Sequence, residues 1–246
     1  MDSGLYAACT AMMARTDALD TIANNLANSS TSGFRERHTT FSSVLAGSGH
    51  PLQSQLNVVT NSYGLLGSSS LDMQAGSLTR TGNELDLGID GPGFFAVQTG
   101  NTTAYTRNGS FQVSSKGQLV TATGDTVLGT SGPISIPKGT SVTIATDGTI
   151  SADDAVVGKL KVVEFAPGAD PQSLGATNYT VAAKDVVDSP SSSVRQGMIE
   201  SSNVNPVSSV VELINAQRAL EGMRHALTMI DTEIDKTAAQ DIPRVS

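Results

Sequence analysis

The run Leu213-Ile214-Asn215-Ala216-Gln217-Arg218-Ala219-Leu220-Glu221-Gly222-Met223-Arg224-His225-Ala226-Leu227 decides how this chain is read. Leu213, Ala216, Leu220, Met223 and Leu227 follow one another in steps of three and four, and Ile230, Ile234 and Thr237 continue the series. Residues at that spacing share one side of a helix, and a period near 3.5 keeps the stripe facing a partner helix. Val210, Val211 and Ile214 widen the stripe at its start. Pro206 heads the run with Ser208 and Ser209 as candidate caps, and Pro243 forbids extension beyond it. A helix of about 25 residues spans roughly 38 Å, a length that suits a shaft better than a small globule.

Working outward, the other end of the chain repeats the pattern at Leu5, Cys9, Met12, Thr16, Leu19, Ala23 and Leu26. Thr16 and Ala23 make this a thin stripe, so the helix needs a partner to stay folded. Cys9 lies on the seam, where a small buried thiol is the expectation. Between the two ends the composition changes twice. Residues 36–75 are rich in Ser, Thr, Gly and Asn and read as an extended linker. Residues 76–200 alternate short apolar runs with turn signals such as Asn108-Gly109, Lys116-Gly117 and Asp147-Gly148, the last separating Val142-Thr143-Ile144 from Thr149-Ile150 as in a hairpin. The predicted class is α+β: a discontinuous terminal-helix, coiled-coil-like domain with an inserted antiparallel all-β domain. Its parts are an N-terminal helix in 1–35, the linker in 36–75, the β-rich domain in 76–200 and a C-terminal helix in 201–246 that packs with 1–35. The assembly interface is assigned to Leu5, Met12, Leu19 and Leu26 on the first helix and to Leu213, Leu220, Met223, Leu227, Ile230 and Ile234 on the last. Asn24, Asn25 and Asn28 join it as residues placed to hydrogen-bond across helices or cap the first one, against the alternative that water solvates them.

Chemistry is sparse. The chain has 246 residues, a net charge of −8 and only 15 Lys and Arg spread along it, which disfavours nucleic acid as a partner. A single cysteine excludes an intrachain disulfide, and the three histidines lack metal-ligand spacing, so neither metal nor cofactor is expected. No run reaches the roughly 18 apolar residues of a membrane span, and Asp2 stands where a secretory signal carries basic residues. If the protein leaves the cytoplasm, the route is one that the sequence does not display as a cleavable signal. Glu84, Asp86 and Asp90 are near enough in sequence to raise glycoside hydrolysis, but turn and strand-edge solvation accounts for them more simply. Gly91-Pro92-Gly93 lacks the Lys and Ser or Thr of a phosphate loop. The expectation is a protein that is not an enzyme.

Several stretches together are more specific than any of these features. Ala18-Leu19-Asp20-Thr21-Ile22-Ala23-Asn24-Asn25-Leu26-Ala27-Asn28 followed by Thr31-Ser32-Gly33-Phe34-Arg35 resembles the N-terminal signature of flagellar rod and hook proteins. Gly76 to Leu87, Gly91-Pro92-Gly93-Phe94-Phe95-Ala96-Val97 and Tyr105-Thr106-Arg107-Asn108-Gly109-Ser110-Phe111 resemble the opening of that family's β-domain. Ser202-Asn203-Val204-Asn205-Pro206-Val207 with Leu213 to Glu221 is similar to its C-terminal signature. The resemblance implies a structural rod subunit of the bacterial flagellar basal body, closest to the proximal-rod branch, with the distal-rod branch as the near alternative. It also implies passage through the flagellar type III export apparatus, assembly in the periplasmic space with other rod subunits and with itself, and no membrane insertion. A type III secreted adhesin or a carbohydrate-binding protein is the more distant alternative.

Overall fold

The computed structural model describes residues 2–43 and 64–241, apart from 138, 154, 176 and 190. Two helices frame it in sequence, α1 (Asp2–Ala27) and α2 (Pro206–Asp241), with strands and turns between. The residues form two compact units: 1–26, 37–70 and 205–246 make one, and 27–36 with 71–204 make the other. The antiparallel β-rich domain expected in the middle of the chain is present, but it also takes in residues 27–36, the last residue of α1 and the segment after it.

In the helical unit, α2 begins at Pro206, as expected from the proline, but its cap is Asn205 and neither candidate serine. Asn205 Oδ1 accepts from the backbone N–H of Val207 at 3.0 Å and of Ser208 at 3.4 Å, while the Ser208 and Ser209 hydroxyls donate to the Asn205 carbonyl. Asn has an acceptor long enough to reach the free amides of the first turn, and Pro206 surrenders none because it has no N–H. Leu213, Ala216, Leu220, Met223 and Leu227 are half-buried, whereas Val207, Val210, Val211 and Ile214 are exposed. At about 100° per residue the second group lies on nearly the opposite side from the first, so the valines form a separate face and do not widen the stripe.

On α1 the covered positions are Ala14, Ala18 and Asn25. Met12, Leu19, Ala23 and Leu26 of the expected seam are half-buried, and Cys9 and Thr16 are exposed. The buried-thiol expectation is therefore corrected. The covered face is lined by Ala14, Ala18 and Asn25, on the side away from the expected seam. Residues 36–75 contain strands Arg37–Ser43 and Gly64–Leu71, paired in a two-stranded sheet.

In the β unit, Phe94–Thr99 is the pivot. It pairs antiparallel with Thr102–Thr106, Thr126–Gly129 and Val162–Phe165 within a ten-stranded sheet. Period-two alternation sends Phe95 and Val97 into one apolar cluster with Leu87, Phe111 and Ile150, and Phe94 and Ala96 into another with Val163 and Tyr179. All four residues are at most 1% exposed, so this strand is covered on both faces. The Asp147-Gly148 hairpin forms as read: Val142–Ile144 pairs with Thr149–Ala152, and Gly148 takes φ +83°. Entry and exit of the unit run together, since Leu87–Asp90 pairs with Ser193–Gln196 and Leu78–Arg80 with Met198–Glu200.

Candidate functional site

Where the chain leaves α1 and where it approaches α2, the β unit holds both segments in one cluster of buried charge. Gly33 takes φ +69°, which turns the chain sharply and lays Phe34 and Arg35 into the unit. A Cβ at Gly33 would sit 2.3 Å from the Arg107 carbonyl carbon, so only glycine allows the two backbones to touch. The Gly33 N–H donates to the Glu200 carbonyl at 2.8 Å.

Glu200 is the centre. Its Oε1 lies 2.6 Å from Arg35 Nη1 and accepts from the Gly76 backbone N–H at 2.8 Å, and its Oε2 accepts from Arg107 Nη1 at 2.9 Å. All three side chains are at most 2% exposed. Arg107 also donates to the carbonyls of Ile89 (3.3 Å) and Gly91 (2.6 Å), and its guanidinium lies 4.9 Å from the centre of the Phe94 ring. Burial pulls the Arg107 pKa below its ordinary value, Glu200 opposes that, and Arg35 reinforces it. Among the described residues no hydrogen-bond acceptor meets Nε or Nη2 of Arg35, or Nε of Arg107. Two cations therefore share one carboxylate in a region of low dielectric, where removing that carboxylate is far costlier than on the surface.

Asn203 ties the same segments through backbone groups. Its Oδ1 accepts from the Glu36 N–H at 2.7 Å, and its Nδ2 donates to the carbonyls of Asp72 and Gln74 at 3.3 and 3.2 Å. Its N–H donates to the Phe34 carbonyl at 3.4 Å, and the Arg35 N–H donates to the Tyr179 hydroxyl. Residues 33–36, 72–76 and 200–203 are thus joined by one carboxylate and one amide.

The sequence-assigned interface residues divide by unit. In the helical unit, Asn25 is 3% exposed and its amide mimics a strand edge, Nδ2 donating to the Arg37 carbonyl at 2.8 Å and Oδ1 accepting from the Arg37 N–H at 3.1 Å. Asn24 is exposed. Asn28 belongs to the β unit, where its Oδ1 accepts from the Thr31 hydroxyl in the turn after α1. Met12, Leu19, Leu26, Leu213, Leu220, Met223 and Leu227 are half-buried, and the side chains of Leu5, Ile230 and Ile234 lie outside the described residues. The acidic group weighed for hydrolysis has structural engagements: Asp86 is buried and accepts from the Asn83 amide, and Asp90 pairs with Arg195 at 3.1 Å on the surface. Arg107, Glu200 and Asn203 were not assigned a role from sequence. Arg107 and Asn203 stand inside the family-like stretches quoted above, but nothing local marks them as a pair with Glu200, and Arg107 and Glu200 stand 93 residues apart.

Three family descriptions match the chain in order: the flagella basal body rod protein over residues 5–35, the flagellar hook protein FlgE/F/G D1 domain over 88–152, and the flagellar basal body rod FlgEFG protein C-terminal region over 195–240. Flagellar basal-body rod protein FlgF of Mesorhizobium japonicum is 36% identical over 225 residues, covering 90% of each chain. FlgF of Escherichia coli is 34% identical over 247 residues, covering 94% of this chain and 95% of its own. Flagellar basal-body rod protein FlgG of Bacillus subtilis is 34% identical over 250 residues, covering 92% and 94%. Residues 33–35 and 200–203 of the buried junction fall inside the first and last of the matched regions, and the chain belongs to the flagellar basal-body rod protein family.

Proposed function

We propose that this chain is a proximal-rod subunit of FlgF type, in which residues 1–35 and 201–246 supply axial helices that pack with each other and with neighbouring subunits, and 76–200 forms an outer β-domain. The observation that carries this reading is the half-open apolar stripe Leu213, Ala216, Leu220, Met223 and Leu227, opposed by the exposed valine face of the same helix. A helix left with apolar surface on two sides is completed by neighbours. In such a shaft, torque passes from motor to hook through many weak dispersion contacts between long helices. Rod subunits of this kind reach the periplasm through the flagellar type III apparatus, without enzymatic activity or a cofactor. The distal-rod reading is favoured by FlgG relatives that cover nearly the whole chain, that of Bacillus subtilis among them.

Leu220→Asp tests the interface. Leu220 is only half-buried within the chain, so the β-domain stays folded, but a charge placed in a desolvated helix contact costs several kcal/mol and assembly fails. The expected result is loss of motility in a complementation assay with normal protein levels. Full complementation would show that this face is not a contact.

A further inference from the structure

We propose that Glu200 acts as a charge latch: the segment leaving α1 and the segment approaching α2 dock onto the β unit in a single event, licensed by the arrival of this one carboxylate. The inference goes beyond the rod role and holds for any position in the rod.

The argument starts from the count of charges. Arg35 and Arg107 are both fully buried, both contact Glu200, and Nε and Nη2 of Arg35 have no acceptor among the described residues. Without Glu200 the same geometry would bury two like charges side by side, which a low-dielectric interior opposes strongly. Glu200 ends the strand Met198–Glu200, the last before α2, which pairs with Leu78–Arg80 and packs against Leu87–Asp90. Until it pairs, burying the Gly33–Glu36 turn means burying Arg35 without a counter-ion. Once it pairs, Glu200 neutralises Arg107, pairs with Arg35, and accepts from Gly33 and Gly76. Asn203, three residues on, then closes on Glu36, Asp72 and Gln74. A chain whose final fifth has not yet arrived therefore keeps both helix roots undocked, and the complete chain docks both.

Amide hydrogen exchange on the full-length chain tests this through Gly33, Glu36, Ser201 and Asn203, whose N–H groups bond at the junction. Glu200→Gln is expected to speed exchange at all four together, on the order of a hundred-fold, while Phe94–Thr106 keeps its protection. Adding Arg35→Met to Glu200→Gln removes one uncompensated cation and is expected to restore part of the protection. A strand that served only as scaffold would show the reverse, the double variant being worse than the single. The latch is overturned if the double variant exchanges faster than Glu200→Gln, or if Glu200→Gln opens only one of the two segments. Should Glu200→Gln fail to fold, the apolar triple variant Arg35→Met, Arg107→Met, Glu200→Leu decides: its folding with a protected junction supports the latch, and its failure to fold overturns it.

Discussion

At the scale of single residues, the β unit is held by polar groups placed where apolar packing alone would leave the register loose. Asp125 is one. Burial pushes its carboxyl up, but hydrogen bonds from the Thr123 hydroxyl, the Asn178 amide and the Thr121 hydroxyl outweigh that and hold its pKa below the usual value. A carboxyl whose folded-state pKa is depressed stabilises the fold above its unfolded value, near 3.9, and loses that contribution as pH falls through the folded value. Urea denaturation between pH 6 and pH 2 is therefore expected to show a steeper loss of stability in the native chain than in Asp125→Asn, with the two curves converging at the acid end. Parallel curves would mean that Asp125 does no more than its neutral isostere. Asp147 behaves alike on the surface: the Thr149 N–H and hydroxyl and the Lys159 ammonium lower its carboxyl to about 2, so the turn carboxylate takes up its proton only at the acid end of the same range.

At the scale of elements, both helices and the hairpin could be read from the sequence because their signals are local. Proline fixed the start of α2, and Asp-Gly fixed the turn at 147–148. The cap was misread because Ser208 and Ser209 are good capping residues by type, yet Asn205 stands one residue before the proline, where the free amides point. Asn205→Ala is expected to destabilise the first turn of α2 by about 1 kcal/mol, seen as faster amide exchange at Val207 and Ser208 with the β unit unchanged. The faces of the helices were less legible. A seven-residue repeat tells which positions share a side but not how deeply that side is covered, and on α1 the covered side belongs to Ala14 and Ala18. The buried junction was invisible for a different reason: nothing local distinguishes a buried arginine from a solvated one when its carboxylate comes from the other half of the chain.

At the scale of the whole molecule, the two units differ in how much each can hold by itself. The β unit contains both apolar clusters and the buried charges, whereas among the described positions of α2 only Ser209 is buried. Limited proteolysis of the purified monomer is therefore expected to remove residues before 27 and after 204 first, leaving 71–204 resistant. Uniform resistance along the chain would mean that the helices complete their own core without neighbours. A last consequence follows from Gly33, whose missing side chain lets one backbone rest directly on another at Arg107. Nothing soft lies between the two strands of polypeptide there, so no rotamer can flip and no slack can accumulate. Even the smallest added carbon at position 33 would have to pry the two main chains apart.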